Sequence, residues 1–213
     1  MINVAVDGIA GRMGQRLAHL VLESNDLTLV SARERPEHAC LGSDVGSVIG
    51  TTDIGVSVIA KAKDFVDPVD VVVAFTAPEA TVEIAKVCGR SSTALVAGTT
   101  GLSGAQSRQL KDAVREIPCV FAPNFSTAMN VLFKLVEQAA NILGDEYDVE
   151  VVEAHHRYKA DAPSGTALRL GESAAKGLDR KLGEVAVHGR EGAVGERSQK
   201  EIGMHAVRMG DLA

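Results

Sequence analysis

The first fourteen residues constrain the fold of this chain more than any other stretch. Residues 2–6 form a short apolar run that is rich in β-branched side chains, and glycines at positions 8, 11 and 14 follow it at once. After Met13, apolar residues recur at helical spacing. The order of strand, glycine-rich turn and helix predicts the start of an α/β fold with a parallel sheet.

The glycine-rich turn also predicts a binding site for a dinucleotide. Glycine allows a tight turn and a close approach to a pyrophosphate, whose charge is stabilised by free N–H groups at the start of the helix. Ala10 stands where the second glycine of the usual fingerprint would be, so the prediction depends on the sequence that follows.

A charged pair supports the dinucleotide site. Glu34 and Arg35 follow the second apolar run, about twenty residues beyond Gly14, where this fold places the acid that binds the adenosine ribose. Glu34 can accept a hydrogen bond from the 2′-hydroxyl, and Arg35 can instead bind a 2′-phosphate. The pair predicts NADH or NADPH as the cofactor, with surface charges at a strand end as the alternative.

Three more apolar runs, at residues 69–75, 93–97 and 119–122, predict strands that are buried on both faces. Helical stretches separate them, so we expect a Rossmann-type, doubly wound parallel sheet over residues 1–125. Ligands of such sheets bind beyond the carboxyl ends of the strands. Small or polar residues at 98–100 and 122–125 follow two of these ends and predict contacts to the nicotinamide half, although ordinary turns use the same residue types.

The pattern changes near Ser126, which predicts a boundary between two domains, residues 1–125 and residues 126–213. Ser126 can cap a helix whose one-sided apolar stripe ends at Leu143, and the stripe predicts a helix packed on a core. Residues 147–153 then alternate as a strand with one more polar face. The change from buried to half-exposed strands predicts a second, α+β domain.

A dense group of cations and proton donors follows this strand, namely His155, His156, Arg157 and Lys159. Imidazole titrates near neutrality, and lysine or arginine binds carboxylates by charge-assisted hydrogen bonds. Ser164 can cap the next helix, whose first N–H groups, at positions 165 and 166, suit a carboxylate. The segment predicts a site that binds and protonates a small anion; a solvated charged loop is the alternative.

Composition argues against several classes of function. The formal net charge of −6 gives no general affinity for nucleic acid. The three cysteines, Cys40, Cys88 and Cys119, form no CxxC pair and are odd in number, which disfavours both a disulfide framework and a zinc site. The sequence contains no signal-peptide pattern and no run long enough to span a membrane, so we expect a cytoplasmic protein.

These motifs resemble those of the dihydrodipicolinate reductase family, also called 4-hydroxy-tetrahydrodipicolinate reductases, over essentially the whole chain. The shared motifs are Gly-x-x-Gly-Arg-Met-Gly from Gly8, Phe-Thr-x-Pro from Phe75, Gly-Thr-Thr-Gly from Gly98, Asn-Phe-Ser from Asn124, and Glu-Ala-His-His-x-x-Lys-x-Asp-Ala-Pro-Ser-Gly-Thr-Ala from Glu153. The resemblance implies a dinucleotide domain followed by a domain whose mixed sheet binds substrate and builds a homotetramer. It also implies NADH- or NADPH-dependent reduction of a small cyclic dicarboxylate, 4-hydroxy-tetrahydrodipicolinate, in the diaminopimelate and lysine pathway.

The resemblance further implies roles for single residues. His155 would donate and accept a proton, and Lys159 would donate one. The substrate carboxylates would be held by His156, Gly165 and Thr166. The cofactor would contact Gly8, Ile9, Ala10, Gly11, Arg12, Met13, Glu34, Arg35, Gly98, Thr99, Thr100, Ala122, Pro123, Asn124 and Phe125. Asp7 departs from the family pattern, which more often has a small residue before the first glycine.

Two alternatives to a reductase are open at this point. A nucleotide-binding regulator without catalysis would keep the fold and lose the chemistry, since a fold alone does not fix a function. Metal-dependent hydrolysis would use His155 and His156 as ligands, but neighbouring side chains on an extended segment point to opposite faces. Family members continue past Gly210 and Asp211, so we expect a chain shortened at its C-terminus.

Overall fold

The computed structural model describes residues 1–211 and contains two compact units, Met1–Ala122 and Pro123–Ala213. Residues 212 and 213, the last two of the predicted second domain, lie outside the described part. Each unit has its own sheet and its own apolar core. No helix within residues 1–211 is long and apolar enough to cross a membrane.

The first unit is built on a six-stranded parallel sheet. Its strands are β1 (Ile2–Asp7), β2 (Leu27–Arg33), β3 (Val58–Ile59), β4 (Val71–Ala74), β5 (Ala94–Ala97) and β6 (Cys119–Phe121). The strand order is β3-β2-β1-β4-β5-β6, so the order reverses between β1 and β4. All neighbouring strands pair in parallel, and the predicted Rossmann-type fold is confirmed.

Four α-helices connect the strands within residues 1–122. They are α1 (Arg12–Glu23), α2 (Val45–Ile49), α3 (Pro78–Ser91) and α4 (Gly104–Ala113). Pro78 occupies the first position of α3, where a missing N–H costs no helical hydrogen bond. Ser103 and Gln106 form a capping box at the start of α4. The helices therefore begin where the local sequence favours it.

Both faces of the first sheet carry an apolar core. Alternate side chains of β1 enter different clusters, because successive residues of a strand point to opposite faces. Ala5 packs in the cluster that contains Phe65 and Leu95, whereas Val4 and Val6 belong to the other cluster. Burial on both sides explains why these strands appear in the sequence as continuous apolar runs.

The second unit contains three α-helices and three strands within residues 123–211. The helices are α5 (Thr127–Leu143), α6 (Gly165–Gly177) and α7 (Leu182–Val185), and the strands are β7 (Val149–His155), β8 (Ala186–His188) and β9 (Ile202–Arg208). The strand order is β7-β9-β8, and both pairs are parallel rather than mixed as the family resemblance implies for this domain. Helix α6 and residues 189–201 each return the chain to the same end of the sheet, so these three strands run in one direction.

One face of this second sheet packs on a helix, and the other is largely exposed. Ile202 and Met204 of β9 are buried together with Ala174 and Ala175 of α6. On the other face, Val152 is 70% exposed. The predicted alternation along β7 is confirmed by this difference between the two faces.

Helix α5 is less buried than its apolar stripe predicts. Ser126 caps it as expected, but within the helix only Phe133 and Ala140 are buried. Leu132 and Leu143 of the same stripe are exposed. The prediction that the whole stripe forms core is wrong, because α5 meets α6 along small side chains that cover a narrow strip.

Candidate functional site

A cleft of about 430 Å³ lies at the carboxyl ends of β1, β2 and β4 in the first unit. This position, beside the reversal of strand order, is where sheets of this kind bind their ligands. The cleft is lined by Asp7, Gly8, Ala10, Gly11, Arg33, Glu34, Arg35, Pro36, His38, Phe75, Thr76, Ala77, Ala80 and Glu83. The structure thus brings the predicted glycine turn and the predicted charged pair to one cleft.

The glycine turn has the shape that a pyrophosphate site requires. Gly8 has a φ of +81°, and a Cβ at this position would lie 2.7 Å from Cγ2 of Thr76. A Cβ at Gly14 would lie 2.0 Å from the Gly8 carbonyl oxygen, so α1 approaches the turn this closely only with glycine there. Helix α1 has Gly11 as its N-cap with no side-chain hydrogen bond, which leaves its first N–H groups for a phosphate.

Glu34 connects the charged pair to the glycine turn. Its carboxylate accepts hydrogen bonds from the N–H of Ala10 at 3.0 Å and from the N–H of Arg35 at 2.9 Å. These bonds hold the carboxylate at the wall of the cleft, where a ribose hydroxyl can donate to it. Arg35 is exposed beside it.

Three of the predicted contacts in and after the turn do not line the cleft. Ile9 is fully buried, and its N–H donates to the Arg33 carbonyl oxygen at 3.1 Å. Ile9 therefore shapes the turn. Arg12 and Met13 form the first residues of α1, so the groups they direct toward the turn are backbone N–H groups.

Residues 98–100 follow β5 and are connected to the segment after β4 by buried hydroxyl groups. Thr99 Oγ1 lies 2.5 Å from Thr81 Oγ1, which lies 3.1 Å from Thr76 Oγ1. The Thr76 N–H also donates to Thr99 Oγ1, at 3.3 Å. This chain of hydroxyls fixes the loop that the sequence assigns to the nicotinamide side. Thr81, at its centre, was not predicted.

The remaining predicted cofactor contacts fall in both units. Ala122 ends the first unit, and its N–H donates to the Ala97 carbonyl oxygen at 3.2 Å. The second unit begins with the other three, Pro123, Asn124 and Phe125. Asn124 Oδ1 accepts a hydrogen bond from the Ser126 N–H at 2.8 Å, so it shapes the start of α5.

A buried ion pair lines the cleft of the first unit. Arg33 Nε donates to Asp7 Oδ1 at 2.7 Å, and Arg33 Nη1 donates to Glu83 Oε2 at 2.9 Å. Asp7 and Arg33 are 2% and 5% exposed. Burial raises the pKa of Asp7, although the hydrogen bond from Arg33 opposes this. The residue that departs from the family pattern thus has an arginine partner on the neighbouring strand.

In the second unit the predicted catalytic histidine lies beside a carboxylate. His155 ends β7, and its Nδ1 lies 2.5 Å from Oε2 of Glu153. Glu153 also accepts hydrogen bonds from the Ser164 N–H at 3.0 Å and from Arg208 Nη1 and Nη2 at 2.9 and 3.0 Å. Burial alone would raise the pKa of Glu153, but these hydrogen bonds outweigh it and hold the pKa at about 2.

The predicted proton donor Lys159 lies in a loop that is held in place by hydrogen bonds from Arg208 of β9. Lys159 Nζ donates to Asp161 Oδ1 at 2.8 Å, and this bond lowers the pKa of Asp161. The Arg208 guanidinium donates to the carbonyl oxygens of Lys159 and Asp161, at 3.3 and 2.6 Å. Arg208 therefore contacts both the loop of Lys159 and the carboxylate beside His155.

The two adjacent histidines have different surroundings. His155 bonds to Glu153, whereas the ring of His156 lies beside Tyr158 with centroids 6.1 Å apart. Nδ1 of His156 is buried and has no hydrogen-bond partner within residues 1–211, which is rare for a buried polar atom and suits a ligand group. In the same part of the chain, no group of three or more His, Cys, Asp or Glu residues is placed to hold a metal ion.

Helix α6 presents its first N–H groups next to this segment. Ser164 caps the helix, as predicted, by accepting a hydrogen bond from the Ala167 N–H at 3.2 Å. The N–H groups of Gly165 and Thr166 have no acceptor inside the helix and suit a carboxylate. Thr166 Oγ1 accepts a hydrogen bond from Asn124 Nδ2 at 3.5 Å, so two residues with different predicted roles are neighbours.

Sequence reasoning did not single out Glu153 or Arg208 as site residues. Glu153 could have been found, because it precedes His155 by two positions on a strand and so shares its face. Arg208 lies 55 positions from Glu153, and no local pattern indicates such a pair. The same holds for Glu83, which lies 50 positions from Arg33.

Comparison with known proteins identifies the family. The sequence profile described as dihydrodipicolinate reductase, N-terminus, matches residues 2–125, and the one described as dihydrodipicolinate reductase, C-terminus, matches residues 128–213. The 4-hydroxy-tetrahydrodipicolinate reductase of Hahella chejuensis is 44% identical over 212 residues, which cover 100% of this chain and 79% of the relative. The reductase of the same name from Alkalilimnicola ehrlichii is 47% identical over 210 residues, which cover 99% of this chain and 79% of the relative.

A solved structure agrees with these matches. The dipicolinate-bound dihydrodipicolinate reductase from Paenisporosarcina sp. TG-14 has a TM-score of 0.65 and 28% sequence identity, and the match covers 98% of this chain and 79% of that one. The fold is therefore shared over nearly the whole chain. This chain belongs to the dihydrodipicolinate reductase family of oxidoreductases.

Proposed function

We propose that this chain reduces 4-hydroxy-tetrahydrodipicolinate to tetrahydrodipicolinate with NADH or NADPH, in the diaminopimelate and lysine pathway. The observation that carries the proposal is the segment from Glu153 to Thr166, which gathers two histidines, a lysine and the start of a helix in a chain of this family. The names of the relatives support the reaction. The neighbour solved with dipicolinate, a cyclic dicarboxylate, supports the class of substrate.

The residues of the first unit fit a pyridine nucleotide. When bound, that nucleotide supplies the hydride. The N–H groups at the start of α1 would hold its pyrophosphate, and Glu34 would accept a hydrogen bond from its ribose. Residues 98–100 would support the nicotinamide side. Arg35, which is exposed beside Glu34, would bind the 2′-phosphate of NADPH, so both nucleotides are expected to bind.

The second unit would bind the substrate and move protons. The N–H groups of Gly165 and Thr166 and the ring of His156 would hold the carboxylates. Loss of water from the substrate and protonation of its ring carbon both need groups that donate or accept protons, and His155 would be one of them. Lys159 would donate the other proton, with its ammonium group held in place by Asp161. In this proposal residues 1–125 serve as the dinucleotide domain and residues 126–213 as the substrate domain.

The test is oxidation of NADH and of NADPH, followed optically while a synthase generates the substrate from pyruvate and aspartate semialdehyde. We expect turnover with the unmodified chain and a loss of about 100- to 10,000-fold in kcat for His155→Ala and Lys159→Ala, with nucleotide affinity nearly unchanged. His188→Ala is the matched control, because His188 is an exposed histidine at the end of strand β8, which does not pair with the strand of His155.

Two outcomes would contradict the proposal. Nucleotide binding without any turnover would favour the regulator, and an equal loss of nucleotide affinity in the two variants would refute the division of roles between the units. The homotetramer and the cytoplasmic location stay predictions. Sedimentation of the purified chain would test the first of these.

A further inference from the structure

We infer that Glu153 is a positioning residue, which fixes the tautomer and the orientation of the His155 ring, and that Arg208 and the start of α6 hold Glu153 in place. The inference rests on the proposed function for one point, the role of His155 in proton transfer. Neither Glu153 nor Arg208 needs to touch the substrate for this role.

The contacts of Glu153 leave its carboxylate one orientation. Oε1 accepts hydrogen bonds from the Ser164 N–H and Arg208 Nη2, both at 3.0 Å. Oε2 accepts from Arg208 Nη1 at 2.9 Å and faces Nδ1 of His155 at 2.5 Å. The donors come from β7, from β9 and from the N-cap of α6, and the Glu153 side chain is 9% exposed. Any rotation of the carboxylate would break at least two of these bonds.

The carboxylate decides which ring nitrogen of His155 carries hydrogen. A carboxylate that is held ionised, as the low pKa of Glu153 indicates, can only accept hydrogen bonds. Nδ1 must therefore donate, and in the neutral ring Nε2 is left without a hydrogen. The His155 side chain is 30% exposed, and no protein group within residues 1–211 bonds to Nε2. Nε2 is thus the nitrogen that exchanges a proton with a ligand.

Arg208 extends this arrangement to the second proton-transfer residue. Besides Glu153, its guanidinium contacts the carbonyl oxygens of Lys159 and Asp161, and Asp161 holds the Lys159 ammonium group. The His155 carbonyl oxygen also accepts a hydrogen bond from the N–H of Met209, the residue after Arg208, at 3.0 Å. One end of β9 therefore positions both residues that the proposed reaction uses.

The test is Glu153→Gln in the full chain, followed by two measurements. A glutamine side chain ends in one acceptor oxygen and one donor NH2 group. Each carboxylate oxygen of Glu153 faces two donors, so the NH2 group of the glutamine would face donors in either orientation. Placing the NH2 group toward His155 costs less, because the imidazole can change tautomer and accept a hydrogen bond at Nδ1, whereas the Ser164 N–H cannot accept one. Nitrogen-15 NMR of the histidine rings should show the hydrogen of His155 on Nδ1 in the unmodified chain and on Nε2 in the variant. The kcat should fall about 10- to 100-fold, which is less than loss of a general acid or base itself causes, with the nucleotide KM unchanged.

Glu150→Gln is the matched control. Glu150 lies on the same strand and accepts hydrogen bonds from Arg190 at 2.9 Å, Arg197 at 2.9 Å and His205 at 2.7 Å. The control variant therefore disturbs a comparable hydrogen-bond network that does not include His155. The inference is overturned if the His155 tautomer is unchanged in Glu153→Gln, or if the two variants lower kcat equally. If the unmodified chain shows no turnover, the proposed function fails. The NMR measurement of the His155 tautomer then tests the positioning role of Glu153 by itself.

Discussion

Each unit contains a carboxylate that pairs with an arginine of a neighbouring strand. The pKa of one carboxylate is raised, and the pKa of the other is lowered. Asp7 bonds to Arg33 in the first unit, and burial raises its pKa. Glu153 bonds to Arg208 in the second unit, and its pKa is held at about 2. Both side chains are less than a tenth exposed, at 2% and 9%. Side-chain exposure is therefore similar, whereas desolvation is the largest influence on the pKa of Asp7 and is outweighed by hydrogen bonds at Glu153.

Asp7 lies deeper in the protein and near the carboxylates of Glu34 and Glu83, which both raise its pKa, and it also has fewer donors than Glu153. Within residues 1–211 only Arg33 donates to the Asp7 carboxylate, with Nε at 2.7 Å and Nη2 at 3.4 Å. Glu153 has the guanidinium of Arg208, the Ser164 N–H and His155. Hydrogen bonds to the charged form favour it, and two or three of them outweigh desolvation. A single arginine thus makes a buried carboxylate tolerable, whereas several donors make a carboxylate a strong acceptor with a fixed orientation.

Removing each arginine in turn should have the largest effect. We expect Arg33→Met to lower the free energy of unfolding by about 3 to 5 kcal/mol, because it leaves Asp7 buried without a partner. Arg208→Met should cost no more than about 3 kcal/mol, because Glu153 keeps two donors. Urea denaturation at pH 7 measures both values.

Two controls accompany this pair. The double variant with Asp7→Leu and Arg33→Met should recover much of the loss, because an apolar pair leaves no buried charge. Lys134→Met removes one of the two surface lysines that pair with Glu137 and should leave stability almost unchanged. A larger loss for Arg208→Met than for Arg33→Met would show that the count of remaining donors does not decide the cost.

The two carboxylates should change the pH dependence of stability in opposite directions. The pKa of Glu153 is about 2 when folded and 4.5 as an ordinary value, so its contribution to stability is present above pH 4.5 and is lost as the pH falls toward 2. Glu153→Gln should therefore flatten this rise of stability with pH. The raised pKa of Asp7 has the reverse effect: its contribution is present below 3.8 and is lost as the pH rises through the folded value.

Urea titrations between pH 2 and pH 5 of the unmodified chain, Glu153→Gln and Asp7→Asn would measure these slopes. The slope of Asp7→Asn should be steeper than that of the unmodified chain, because the opposing contribution is gone. Equal slopes for all three proteins would mean that neither carboxylate changes its acidity on folding.

The smallest effect is expected where the hydrogen bonds join neutral groups. Thr81→Val interrupts the hydroxyl chain between Thr76 and Thr99 and should cost about 1 kcal/mol, since a net hydrogen bond contributes about that much. Thr81→Ser keeps the hydroxyl and serves as the control. If Thr81→Val lowered the free energy of unfolding as much as Arg33→Met, charge would not be the reason for the larger cost at Arg33.

The first unit could be predicted well from the sequence, and the second less well. Strands buried on both faces appear as apolar runs, and Gly8 with Gly14 indicates the turn between β1 and α1. In the second unit the β7 alternation and the Ser164 cap were correct, but the sheet is parallel in the described residues and α5 is partly exposed. The direction of a strand depends on what the chain does between strands, and residues 189–201 carry no regular pattern that indicates it.

The local features of this protein follow from its amino-acid sequence: the order of strands and helices, the glycine turn, the caps and the clustering of His155 with Lys159. These depend on contacts within about four residues or on the period of the apolar pattern. The partners of the two carboxylates depend on the tertiary structure. The register of β1 with β2 places Asp7 opposite Arg33, and the register of β7 with β9 places His155 opposite Arg208. A shift of either register by one residue would turn those side chains to the other face of the sheet, and nothing local in the sequence fixes that choice.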